Sequence, residues 1–151
     1  MQQNDLGNLL HHLVSLLSRN SDQTLQEQLG IGLSQYKILT TLHDHPHVQQ
    51  RLIASTLGQT EASISRQIKL LTEKGMLIAE RNPQNQREHL TDLTPRGLRM
   101  IEAAERVLAA YYKSFFAGLS GKQQKNLYKE LASLHRNVCF MQHPGLHDDV
   151  A

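Results

Sequence analysis

Residues 60–75 read TEASISRQIKLLTEKG. Thr60 has the hydroxyl of a good helix N-cap, able to accept from an orphan backbone N–H of the first turn. Glu61 follows, where the helix dipole favours negative charge. Ile64, Ile68 and Leu71 recur at i, i+4 and i+7, the period of one buried helix face. Gly75 supplies a left-handed stop. The opposite face carries Arg66, Lys69 and Glu73, with Ser63 and Ser65 at its margins. This predicts an exposed helix with a narrow apolar stripe and a polar partner.

Working outward, Val48–Leu57 reads as a short helix with Ile53, Ala54 and Leu57 inward, ended by Gly58. Two helices joined by a tight glycine-containing turn form the helix-turn-helix pattern. After Gly75 comes MLIAER, a β-prone run. NPQNQRE, residues 82–88, has no large apolar side chain and reads as a polar tip. HLTDL, residues 89–93, is β-prone again, and LTPRG opens a new helix. The fold class expected is mainly α with a small β-hairpin wing, that is, a winged helix-turn-helix.

From Leu33 to Gly97 the chain resembles the multiple-antibiotic-resistance regulator (MarR) family of bacterial transcription factors. The resemblance is carried by 33-LSQYKILTTL, 57-LGQTEASISRQIKLLTEKGML, 80-ER and 93-LTPRG, in that order and spacing. The family's wing commonly carries Asp-x-Arg, where this chain has Asn85-Gln86-Arg87. The resemblance implies a single domain over residues 1–151. Within it, 33–97 would be the DNA-binding lobe, and 5–30 and 98–141 would be dimerisation helices that interdigitate about a two-fold axis.

Composition is permissive. At 151 residues, 39% apolar and 20% charged, the chain suits one globular domain. Residues 1–47 hold two basic and four acidic side chains, a net −2. Residues 48–97 and 98–151 each hold seven and five, a net +2. This is a mild basic bias over the helix-turn-helix, which a dimer would double. One cysteine, Cys139, excludes an intrachain disulfide and is compatible with a reducing compartment. The first residues include Asp5 and lack a basic stretch leading an apolar run, so no signal peptide is expected. No run approaches a membrane span, and a cytoplasmic location is expected.

On the flanks, residues 1–5 are polar and expected to fray. Leu6, Leu9, Leu10, Leu13, Val14 and Leu17 mark an amphipathic helix. Asn20-Ser21-Asp22 interrupts that pattern, Leu25 and Leu29 continue in a second short turn, and Gly30-Ile31-Gly32 breaks it. Ser34 is the expected cap of the next helix, with Ile38, Leu39 and Leu42 inward. Thr94 and Pro95 open the longest helix, expected to reach about Leu119. Ser120-Gly121-Lys122-Gln123 is a capping box. Leu127, Leu131, Leu134 and Val138 then stripe the last helix, which Pro144 and Gly145 end, before a tail expected to be disordered. Stripes on both flanks favour a core shared between two copies.

Catalytic motifs are missing: there is no glycine-rich phosphate loop, nucleophile elbow or HExxH, so no enzyme is expected. His43-Asp44-His45-Pro46-His47 invites a metal reading, and His135, Cys139 and His143 a nucleophile or metal pair. A solvated loop and a small apolar thiol explain them more simply, and no metal or cofactor is expected. The expected function is a homodimeric regulator, in the resembled family more often a repressor, on a pseudo-palindrome of double-stranded DNA. Thr60, Ser63, Ser65, Arg66, Gln67 and Lys69 would face the major groove, and Asn85 and Arg87 the flanking groove. The resemblance also implies a small aromatic or anionic effector, with Leu13, Leu17, Tyr36 and Leu39 as candidate lining. The alternatives are a winged-helix module that packs on protein and a metal-responsive regulator using the histidine-rich segments.

Overall fold

The computed structural model describes residues 3–142, with the side chains of 4–80, 82–84 and 90–138. Six helices and one hairpin follow in order: α1 (Gln3–Leu29), α2 (Leu33–Asp44), α3 (Gln50–Leu57), α4 (Glu61–Glu73), β1 (Leu77–Asn82), β2 (Asn85–Leu93), α5 (Pro95–Phe115) and α6 (Gly121–Gln142). The chain divides into two units, one reaching Tyr111 and one beginning at Tyr112.

The first unit holds the core. Leu25 of α1, Ile38, Leu39 and Leu42 of α2, Ile53 and Ala54 of α3, and Ile64, Ile68 and Leu71 of α4 are buried together. Met76, Leu77, Ile101, Ala104 and Leu108 close the same cluster. The inward stripes read from periodicity are the stripes that pack. Gly58 and Gly75 sit at φ 62° and 70°, the left-handed region that a side chain resists, and they end α3 and α4.

Five local expectations need correction. Asn20-Ser21-Asp22 does not interrupt the first helix, which runs unbroken for 27 residues. Such side chains weaken helices by competing for nearby backbone. Here the Thr24 hydroxyl donates back to the Asn20 carbonyl at 2.7 Å, and Asp22 Oδ1 accepts from the Leu33 N–H at 2.8 Å. Asp22 therefore serves the start of α2, not a break in α1. Residues 3–5 are also helical: α1 begins at Gln3 and has Asp5 in its first turn.

Ser34 is not the cap of α2. Gly32 holds that position, its N–H donating to Gln35 Oε1 at 3.3 Å, while Ser34 Oγ accepts from Gln59 Nε2 at 2.8 Å. The hairpin is longer than HLTDL suggests, because β2 reaches back to Asn85. Leu77 pairs with Leu93 and Ala79 with Thr91, with an irregularity between Arg81 and Asn82. Most of NPQNQRE is thus strand. The tip narrows to Pro83 and Gln84, where the Gln84 N–H donates to Asn82 Oδ1 at 3.0 Å. Thr91 on β2 is fully buried, and its hydroxyl has no partner among the described residues. Replacing it with valine, which has the same shape, should raise stability by about 1 kcal/mol. A fall in the urea midpoint would mean that the hydroxyl is bonded to ordered water.

In the second unit, the last residues of α5 turn off at Phe115, four short of Leu119. The Ala117 and Leu119 N–H groups donate three residues back, to Ser114 and Phe116, which tightens the chain out of the α-helix. The capping box forms as read: the Ser120 N–H donates to Gln123 Oε1 at 2.8 Å, and Gln123 N–H to Ser120 Oγ at 3.3 Å. Leu127, Leu131, Leu134 and Val138 lie on α6 at 39–52% exposure, so this stripe is largely uncovered. His143, Pro144, Gly145 and the tail lie outside the described residues.

Candidate nucleic-acid interface

α4 is set with its apolar stripe down and its polar face out. Thr60 caps it, Oγ1 accepting from the Ser63 N–H at 3.2 Å. Ile64 and Leu71 are fully buried and Ile68 nearly so. On the far side Ser65, Arg66, Lys69 and Glu73 are exposed, as is Thr60 at the N-terminal end. Three donors of different reach therefore project from one rigid face: a hydroxyl, a guanidinium and an ammonium. Together they can bond phosphate oxygens and base edges.

Two residues expected on that face are engaged elsewhere. Ser63 is half-buried and its hydroxyl donates to Gln59 Oε1 at 3.3 Å. Gln59 in turn donates to Ser34, so the turn before α4 is bonded to α2. Gln67 is also half-buried and accepts from Gln35 Nε2 at 3.0 Å. Both belong to the framework that holds α4. The side chains of Asn85 and Arg87 lie outside the described residues. β2 places both positions on the half of the hairpin away from α5. Sequence reasoning passed over Ala62 and Leu70, exposed on the same face as Arg66. Helical spacing carried the signal, since Leu70 lies four residues after Arg66, but only polar side chains were sought there.

The four residues considered for an effector lie on α1 and α2. Leu39 is fully buried in the core, Tyr36 packs against it, and Leu13 and Leu17 are half-buried on α1. A cavity of about 560 Å³ in this unit is lined by Leu42, His43, Pro46, His47, Asp92, Leu93, Thr94, Pro95 and Leu98. Two of the three histidines in the 43–47 segment pair with carboxylates, His43 with Asp44 at 3.1 Å and His47 with Asp92 at 3.0 Å. Among the described residues no three metal-ligating side chains converge. The Cys139 side chain lies outside those described. No described helix is long and apolar enough to cross a membrane.

Helix, glycine turn, helix and antiparallel hairpin, with one polar helix face presented outward, define a winged helix-turn-helix protein. Comparison with known proteins narrows the class. Residues 29–88 match the family model described as MarR family. An uncharacterized HTH-type transcriptional regulator of Bacillus subtilis strain 168, YdgJ, is 28% identical over 109 residues, which span 72% of this chain and 66% of that one. A crystal structure of MarR matches with a TM-score of 0.80 at 23% identity, covering 88% of this chain and 92% of its own. CouR from Rhodococcus jostii RHA1, bound to p-coumaroyl-CoA, matches with a TM-score of 0.69 at 23% identity, covering 86% and 91%. A mutant of S. aureus MepR bound to an oligodeoxyribonucleotide matches with a TM-score of 0.58 at 22% identity, covering 88% and 97%.

Proposed function

We propose that this chain is a sequence-specific DNA-binding transcriptional regulator. It acts as a homodimer, lays α4 in the major groove of a pseudo-palindromic operator, and represses until a small molecule releases it. The observation that carries this reading is the two-faced α4: an inner face locked by Ile64, Ile68, Leu71 and Gln67, and an outer face offering Ser65, Arg66 and Lys69. Thr60 sits at the backbone end, and Asn85 and Arg87 on the wing reach the flanking groove. The chain works by binding, in the cytoplasm, and uses no cofactor.

Relatives support the partners. A MepR mutant is bound to an oligodeoxyribonucleotide, and CouR to p-coumaroyl-CoA. The dimer is supported by uncovered apolar side chains on both flanks: Leu6, Leu9 and Val14 on α1, and the α6 stripe at Leu127, Leu131, Leu134 and Val138. Helices within 5–30 and 98–141 would supply that interface, with the lobe from 33 to 97 on DNA. The competing reading, a module that docks on protein, has Leu70 in its favour, an apolar side chain 44% exposed on the outer face. Its neighbours Arg66 and Lys69 favour a polyanion.

Sedimentation at micromolar concentration should give a two-fold assembly, and footprinting should give two protected half-sites about one helical turn apart, roughly 34–36 Å. A stable folded monomer, or a single asymmetric half-site, would overturn the arrangement. A gel shift against the chain's own upstream DNA separates the regulator from the protein-docking module.

A further inference from the structure

The bonds that hold α4 converge on the short turn between α1 and α2. Gln35 lies in the first turn of α2 with 9% exposure, and both ends of its amide are used. Oε1 accepts from the Gly32 N–H at 3.3 Å, and Nε2 donates to Gln67 Oε1 at 3.0 Å. The turn is itself fixed from the α1 side, where Asp22 accepts from the Leu33 N–H at 2.8 Å. A Cβ at Gly32 would come within 2.9 Å of that same Asp22 oxygen, so the turn leaves little slack. At the far end of α4, Lys74 Nζ donates to the Gly30 carbonyl at 2.9 Å.

These contacts do something the apolar stripe cannot. Ile64, Ile68 and Leu71 hold α4 down by burial, which is non-directional and tolerates a small rotation about the helix axis. A hydrogen bond between two amides tolerates much less, because it weakens steeply with angle. A partly buried amide pair is also costly to break. Gln67 precedes Lys69 by two residues and follows Arg66 by one, so any rotation it prevents is a rotation of both cations.

We propose that Gln35 is a positioning residue for the DNA-reading helix. Through Gln67 it fixes the rotation of α4, with the Gly30–Gly32 turn as its anchor, and so sets the direction in which Arg66 and Lys69 leave the surface. This rests on the reading of α4 as the helix that meets DNA. Base contacts need that direction, whereas phosphate contacts tolerate several. Losing the bond therefore lowers discrimination between sequences more than it lowers affinity for DNA in general.

The experiment uses the full chain and a duplex selected by it from a random pool, with a scrambled duplex of equal length as comparison. Gln35→Met keeps the length and removes both bonds. It should lower the ratio of selected to scrambled binding about fivefold to tenfold, the worth of one partly buried hydrogen bond. Gln67→Met should do the same, and the double variant should lose little more, since one bond is being removed twice. Gln35→Glu should keep the ratio near its starting value, because the Gln67 amide can flip and donate to the carboxylate. Should Gln35→Met fail to fold, Gln67→Met tests the same bond from the α4 side. An unchanged ratio, additive losses, or equal losses on both duplexes would overturn the role while leaving DNA binding intact. If the unsubstituted chain selects no sequence at all, the DNA reading falls, and this role with it.

Discussion

Gly97→Ala should destabilise the protein by about 3 kcal/mol, the upper end of what overpacking costs. Gly97 is buried in the first turn of α5, where the helix meets the end of α4 and the base of the wing. Thr94 makes that junction tight. Its N–H donates to the Met76 carbonyl at 3.1 Å, its hydroxyl donates to the Gly75 carbonyl at 2.7 Å, and the same hydroxyl accepts from the Gly97 N–H at 3.1 Å. A Cβ on residue 97 would overlap the Met76 carbonyl oxygen and stand 2.8 Å from Leu93 Cδ2. A backbone oxygen cannot rotate away as a flexible side-chain end can. Either α5 is pushed off, with loss of the Thr94 bonds, or Met76 and Leu77 shift out of the core. Gly121 is the control. It is helical, at the start of α6, and a Cβ there meets nothing within 4 Å, so Gly121→Ala should be neutral or stabilising by up to about 1 kcal/mol. Urea denaturation monitored by circular dichroism reads both. Equal midpoints for the two variants would mean that α5 does not enter against Met76 at this distance. A loss of this size matters because small domains have only about 5–15 kcal/mol to lose.

The second large effect separates two arginines. Arg66 stands exposed on a helix whose rotation is fixed from beneath, so it suits bidentate recognition of a guanine. Arg66→Ala should cost about 1–3 kcal/mol on the selected operator and relax preference at the contacted base pair. Arg87 stands on the wing, where this chain has Asn85 in place of the aspartate usual in the family it resembles. It contributes charge more than register. Arg87→Ala should therefore weaken binding to operator and random DNA by similar factors and flatten the salt dependence by about one phosphate-equivalent. Titrations at three salt concentrations on both duplexes decide it. The reverse pattern, with Arg87 controlling preference and Arg66 acting uniformly, would make the wing the reader and α4 a backbone clamp.

What was legible in the sequence is what is decided within one or two turns of chain. The stripe Ile64, Ile68, Leu71 needs only the helical period, and the Thr60 cap, the Thr94-Pro95 start and the Ser120–Gln123 box need only partners three residues away. Gly58 and Gly75 announce their stops because few other residues tolerate their φ. The winged helix-turn-helix and the outward Arg66 and Lys69 follow from these local facts. What the sequence misplaced involves a polar side chain choosing among distant partners. Asp22 bonds a residue 11 positions on, Gln59 one 25 positions back, and Gln35 one 32 positions on. Those distances along the chain carry no periodic signal, so Asp22 looked like a helix breaker and Ser34 like a cap, and the bond from Gln35 to Gln67 was not visible. β2 lengthened for a related reason, since it reaches back to Asn85, which pairs with Asn82 only once β1 lies beside it. Periodicity and capping chose which helix faces outward. Hydrogen bonds between segments brought together by packing chose which of its polar side chains remain available.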